Sequence, residues 1–143
     1  MVSGYRTSSD IKDMDLSLIH EFISNTYWAK GIPLTTMEKA IKNSLCFGVF
    51  TECGTQVGFA RMVTDSATFA YLADVFVSSE HRGKGLSKLL MQVIIEHPDL
   101  QGIRRMMLAT SDAHGLYEQF GFKALGSPDS FMEVHQPDVY KSV

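Results

Sequence analysis

A chain of 143 residues with 45% hydrophobic and 20% charged content can build one full core and is short for two, so a single domain over residues 1–143 is expected. Its formal net charge of −3 argues against a general nucleic-acid binder, and no apolar run approaches bilayer-spanning length, so neither nucleic acid nor membrane is an expected partner. The first residues, Met1 to Asp10, are polar and lack the apolar segment of a secretion signal, which makes the cytoplasm the expected location.

In chain order, Tyr5-Arg6-Thr7 reads as a short first strand, and Ser8 to Asp13 supplies turn and capping residues. Leu16, Ile19, Phe22 and Ile23 follow at helical spacing, with the helix ending near Thr26 or Tyr27. A loop from Tyr27 to Pro33 carries two large aromatics. Thr35-Thr36-Met37-Glu38 then has capping-box spacing and opens a second helix that buries Met37, Ala40 and Ile41. Leu45 to Thr51 and Gln56 to Thr64 are strand-like runs around Glu52-Cys53-Gly54-Thr55, which predicts an antiparallel hairpin. Cys46 and Cys53 have no second pair and no ligand spacing, so no metal is expected.

After the turn Asp65-Ser66-Ala67, the run from Phe69 to Val77 is apolar and strand-forming, whereas Leu86, Leu89, Leu90, Val93 and Ile94 share one helical face. The period switches at Arg82-Gly83-Lys84-Gly85-Leu86-Ser87. A backbone turning there from strand to helix leaves the first helical amides without partners at the positive end of the dipole. Glycines 83 and 85 keep side chains away from those amides, and His81, Arg82, Lys84 and Lys88 add basic groups, so a phosphate or pyrophosphate is the expected guest. No window has P-loop spacing, and the dinucleotide fingerprint that starts at Gly83 and Gly85 meets Lys88 at its third glycine. An oxidoreductase with Asp112 on a ribose is the reading that this mismatch disfavours. Pro98 stops the helix, and Met106 to Ala109 reads as a buried strand, which makes a right-handed crossover with the Phe69–Val77 strand.

Beyond that strand comes Ser111-Asp112-Ala113-His114-Gly115-Leu116-Tyr117-Glu118-Gln119-Phe120-Gly121-Phe122. Ser111 or Asp112 can cap a short helix that Gly121 ends, with Phe122 folding back toward Tyr117. Gly115 inside this helix is either tolerated or kept for a close approach. Lys123 to Val134 suggests one or two more strands around Gly126-Ser127-Pro128-Asp129.

The glycine corner resembles the acetyl-coenzyme A motif of the GNAT superfamily of N-acetyltransferases, Arg/Gln-x-x-Gly-x-Gly/Ala, with Arg82 and Gly85 in place and Ser87 where Gly or Ala is usual. The later block resembles the family's second signature, Asn-x-x-Ala-x-x-Leu-Tyr-x-x-x-Gly-Phe, through Ala113, Leu116, Tyr117, Gly121 and Phe122, with Thr110 at the Asn position. The resemblance covers about residues 45 to 125. It implies an α/β fold whose mixed, twisted sheet of about six or seven strands is flanked by about four helices, with a splayed parallel pair at the coenzyme site.

The resemblance implies that acetyl-coenzyme A is the co-substrate, with Phe76 and Val77 offering backbone groups to its pantetheine and the amides of Arg82, Gly83, Lys84, Gly85, Leu86 and Ser87 holding its pyrophosphate. It places Tyr117 beside the thioester sulfur, as the group that protonates the departing thiolate. Asp74, set among Tyr71, Leu72, Ala73, Val75 and Phe76, is the candidate base, since burial disfavours its charged form; a purely structural acceptor is the alternative. Glu80 and His114 read as exposed. Tyr27 and Trp28 are the candidate wall for the acceptor, with His20 and Glu21 behind them. The expected activity is direct acetyl transfer to a primary amine of a small molecule or of an exposed protein amine, and the alternative is an acyl-coenzyme A sensor of the same fold. A homodimer is compatible with either.

Overall fold

As far as Phe122 the hydrophobic period of each segment becomes its element in the computed structural model, which describes residues 1–141. β1 (Tyr5–Ser8), β2 (Leu45–Thr51), β3 (Gln56–Thr64) and β4 (Phe69–Val77) are antiparallel neighbours in chain order, and β5 (Arg105–Leu108) runs parallel to β4. The helices are α1 (Leu16–Ile23), α2 (Leu34–Lys42), α3 (Leu86–Glu96) and α4 (His114–Glu118). The expected hairpin and the β4-α3-β5 crossover are both present.

Alternation along the strands sends side chains to two cores. On one face Phe47, Val49 and Met62 meet Leu86, Leu90, Met91 and Ile94 of α3; on the other Cys46 and Phe59 meet Ile19 and Ile23 of α1 and Met37 and Ile41 of α2. Leu90, Met91 and Ile94 are wholly buried, and each such side chain contributes roughly 1.5–3 kcal/mol. Packing of this size holds α3 in place although its N-cap, Gly85, has no side chain to cap it.

The sheet has five strands where six or seven were expected. Among the described residues, Lys123 to Val134 contains no strand: Pro128–Ser130 forms a 3₁₀ turn, and Phe131 lies 4.9 Å from the Arg105 guanidinium. β5 is only four residues long, and Gly126, Ser127, Pro128 and Asp129 favour turning over extending a short ladder.

Three caps also differ. Asp15, outside the expected Ser8–Asp13 stretch, accepts from the Leu18 amide at 3.1 Å, while Asp10 caps a separate 3₁₀ turn at Ile11–Asp13. No capping box forms at Thr35 because α2 already starts at Leu34, behind Pro33, whose ring presets the entry. At α4 neither Ser111 nor Asp112 caps; Thr110 Oγ1 accepts from the amides of Asp112 at 3.4 Å and Ala113 at 3.1 Å.

The largest departure lies inside β4. Phe59 pairs with Phe76 and Arg61 with Ala73, so β4 carries one more residue than β3 between these pairs. Asp74 absorbs the excess at φ 57°, a left-handed value that Asp tolerates better than most residues. The bulge reverses the side-chain alternation. Ala70 and Leu72 face the α3 core, yet Phe76 faces the α1–α2 core, so Asp74 does not lie in simple alternation with Leu72 and Phe76, although two-residue spacing would place all three on one face.

Candidate active site

β5 ends at Leu108 opposite Leu72, so among the described residues the far edge of β4 from Ala73 to Val77 has no strand beside it. Ser78 N–H donates to Val57 O at 2.8 Å, which makes Ser78 and Val57 a hydrogen-bonded pair and, by antiparallel alternation, Phe76 and Phe59 the next one. Val77 therefore turns its N–H and C=O into the gap, where its carbonyl accepts from Arg82 Nε at 3.0 Å. Phe76 requires a correction: its backbone is directed to β3, and it meets the gap with its side chain, stacked on Phe22 at 4.0 Å between centroids.

The glycine corner has the geometry its residues imply. Gly83 (φ 76°) and Gly85 (φ 82°) are left-handed, and a Cβ at either would meet no protein atom within 4 Å, so the space before the corner is open. The Leu89 amide is the first to bond within α3, to Gly85 O at 3.0 Å. The amides of Leu86, Ser87 and Lys88 thus have no helical acceptor and no capping side chain. Arg82 and Ser87 line the adjoining cleft, Lys84 and Lys88 are exposed, and the Leu86 side chain is buried in the core. His81 belongs elsewhere, since its Nδ1 is 2.7 Å from the Tyr5 hydroxyl.

Tyr27 and Trp28 reach across the two splayed strands. Tyr27 Oη is 3.0 Å from Ser111 Oγ beyond β5, and Trp28 Nε1 donates to Asp74 Oδ1 on β4 at 2.9 Å. Their rings meet edge to face at 5.1 Å. Both stay accessible, at 74% and 47% exposure, although each is anchored. Asp74 is 8% exposed, and its other oxygen accepts from Arg61 Nε at 2.8 Å, while Arg61 Nη1 donates to Ser44 Oγ at 3.1 Å. The candidate base is thus engaged at both oxygens.

Tyr117, also 8% exposed, is fixed by Phe122: the Phe122 amide donates to Tyr117 O at 3.2 Å, the rings meet edge to face at 6.0 Å, and Gly121 (φ 93°) makes the reversal. Burial, and then the negative charge of Asp112, raises the Tyr117 pKa above the ordinary phenol value. Its hydroxyl keeps its proton at neutral pH and can act as an acid.

Two clefts meet at this tyrosine. The larger, about 840 Å³, runs from Arg82 and Ser87 along Val75 to Val77; the smaller, about 670 Å³, lies between Arg61, Tyr71 and Thr110. Tyr27, Trp28, Val75, Asp112, Ala113 and Tyr117 line both.

Sequence reasoning missed Arg61, Tyr71, His135 and Tyr140 in the smaller cleft. Arg61, the one charged residue of β3, one strand from the aspartate in β4, was a legible signal for the ion pair. Nothing local marked His135 or Tyr140, which arrive from the C-terminal segment. His114 and Glu80 are exposed as expected, and His20 is tied by Nε2 to Ile32 O at 2.8 Å. Glu21 lines the larger cleft. A Cβ at Gly115 would meet no protein atom within 4 Å, so no protein group requires that glycine.

A sheet opened between parallel strands, with bare helix amides at one end, leaves two clefts that share Tyr117 as a wall. The chain belongs to the acetyltransferase (GNAT) family, whose model matches residues 16–122. It is similar to a Gibberella zeae protein assigned as an acetyltransferase, 31% identical over 135 residues that cover 79% of this chain and 75% of that one. A Xanthomonas campestris crystal structure assigned to the GNAT family superposes with a TM-score of 0.94 at 52% identity, over 98% of this chain and 99% of that one. A Clostridium acetobutylicum protein assigned as an acetyltransferase and crystallised with acetyl-CoA shares the fold, with a TM-score of 0.65 at 16% identity over 92% and 94% of the two chains. Other curated relatives are longer, and the matches reach between 26% and 44% of their length.

Proposed function

We propose that the protein is an acetyl-coenzyme A-dependent N-acetyltransferase, moving an acetyl group to a primary amine by direct attack with both substrates bound. The observation that carries this reading is the meeting of the two clefts at Tyr117. The residues present suit the coenzyme: the free amides of Leu86, Ser87 and Lys88 behind an open glycine corner would hold its pyrophosphate, with Arg82 and Lys84 beside them, and the main chain of Val77 would meet its pantetheine. When bound, the coenzyme supplies the thioester to be attacked and the thiol to be released.

The chain's own residues then have separate tasks. Tyr117 retains its proton until it can donate to the departing sulfur. Trp28 lines both clefts and would form part of the wall that the acceptor meets. Asp74 acts as a positioning residue, holding Trp28 on one oxygen and Arg61 on the other. An unperturbed alkylamine has a pKa of about 10.4, so the acceptor enters as ammonium and gives one proton to solvent water before the neutral nitrogen attacks the thioester carbon; the C–S bond breaks, Tyr117 protonates the departing sulfur, and the second proton released by the nitrogen restores the phenol.

The test is thiol release from acetyl-coenzyme A across a panel of amines. Amine-dependent release that falls by about 10²–10⁴ in kcat in Tyr117→Phe, with coenzyme binding retained, supports the reading. Tight coenzyme binding without amine-dependent release would instead identify a sensor of the same fold.

A further inference from the structure

Two carboxylates line the smaller cleft, and only one of them is free. Asp74 is buried against Arg61 and Trp28. Asp112 is exposed on the loop between β5 and α4, and among the described residues it is in no ion pair. The other charged or titratable groups on this cleft are Arg61, already spent on Asp74, and His135, besides the phenols of Tyr27, Tyr71, Tyr117 and Tyr140. Among the described residues, the cleft therefore has one unpaired carboxylate, one imidazole in His135, and no unpaired guanidinium or ammonium. Its walls are aromatic, with Trp28 and Tyr27 on one side, Tyr71 on β4, and Tyr140 brought in by the C-terminal segment, where it packs against the α1–α2 cluster.

Resting on the amine-acetylation reading above, we propose that the acceptor is a cationic amine with a flat apolar body, its ammonium docked by Asp112 and its body held among Trp28, Tyr71 and Tyr140. An ammonium is drawn to a carboxylate and to the faces of aromatic rings, whereas a carboxylate on the substrate would meet Asp112 with no unpaired guanidinium or ammonium on this cleft to balance it, His135 being the one imidazole there. The site accordingly discriminates against α-amino acids in favour of the corresponding simple amines. Asp112 also lines the larger cleft, and its charge is felt at Tyr117, so an ammonium bound there is already where the clefts join. Asp112 is thus a specificity-determining residue that neither its position in a motif nor its burial announces.

Trp28 is the chain's single tryptophan and lines both clefts, so its fluorescence reports binding without any chemistry. The full chain, saturated with coenzyme A, is titrated with 2-phenylethylamine, phenylalanine and 2-phenylethanol, which share a ring and differ in charge. The expected result is that 2-phenylethylamine binds about two- to fivefold tighter than either of the others, the size of an exposed ion pair, and that Asp112→Asn removes this advantage while leaving 2-phenylethanol unchanged. Equal affinities in the wild-type chain, a preference for phenylalanine, or an advantage that survives Asp112→Asn would overturn the proposal. The comparison of three ligands on the unaltered chain does not depend on the variant's folding. Acetyl transfer measured in parallel separates the two readings: cation-selective binding without transfer supports the docking site and refutes the enzyme, whereas transfer favouring phenylalanine refutes the docking site and leaves the enzyme standing.

Discussion

Replacing Asp74 by Asn separates a positioning carboxylate from a catalytic base. Both of its partners, Trp28 Nε1–H at 2.9 Å and Arg61 Nε–H at 2.8 Å, are donors, and each uses a different oxygen. An asparagine has one acceptor oxygen, so one donor must face an NH₂ group. The ion pair is well enclosed, with side-chain exposures of 18% for Arg61 and 6% for Asp74. At an effective dielectric of about 20, charges this close attract by roughly 4–6 kcal/mol; removing one partner of a buried pair costs about 3–5 kcal/mol by leaving the other charge uncompensated, and the partial exposure of Arg61 puts this pair at or below the low end. Asp74→Asn should therefore lose about 2–3 kcal/mol, which in a domain of this size lowers Tm by roughly 5–10 °C. Asparagine tolerates the left-handed backbone at this position, so strain does not confuse the result. Urea and thermal unfolding followed by circular dichroism measure the loss, and the pH profile of kcat is recorded beside it. A variant as stable as the parent, whose kcat has collapsed by about 10²-fold or more and whose acidic limb is gone, would refute the positioning role and make Asp74 the base.

Gly85→Leu places a side chain at φ 82° where no protein atom opposes it, so the stability loss should be confined to about 1–2 kcal/mol of backbone strain. Coenzyme affinity should fall by about tenfold or more in calorimetry, because the same side chain blocks the free amides; unchanged affinity would remove the corner from the site. Burial pushes the Cys46 thiol up to about 11 from 9.0, against the lowering effect of Arg61. A group whose folded pKa is raised stabilises the fold fully below its unfolded value, so this contribution is lost as pH climbs from 9.0 through about 11, and the alkaline slope of stability should flatten in Cys46→Ala. A thiol reagent near neutral pH should label exposed Cys53 in the native chain and Cys46 only on unfolding. The alkaline limb of kcat/KM due to Tyr117 should lie above the ordinary phenol value of 10.0, and a limb below it would show that the phenol is not desolvated in solution.

The hairpin, the crossover, the glycine corner and the Tyr117–Phe122 reversal were all legible because each rests on neighbours in sequence. Period-two and helical spacing, a proline stop, and glycines at the turns express themselves over a few residues. Legibility failed where one part of the chain answers another. The β4 bulge exists only as a mismatch with β3, and the ladder that turns Phe76 away from the gap and Val77 into it follows from that pairing. The strands expected after Lys123 fail for a similar reason, since a strand needs an edge to join and β5 offers four residues.

Amino-acid order alone determined where the chain turns, which faces are apolar, and that bare helix amides would stand behind Gly85, because these depend on local sterics and hydrogen-bond geometry. Only the folded chain decided that Arg61 takes Asp74, that Tyr140 joins Trp28 in lining a cleft, and that Asp112, among the described residues, is left without an ion pair. Charge pairing and cavity walls are contacts between residues far apart in sequence, and closing the sheet is what brings them into range.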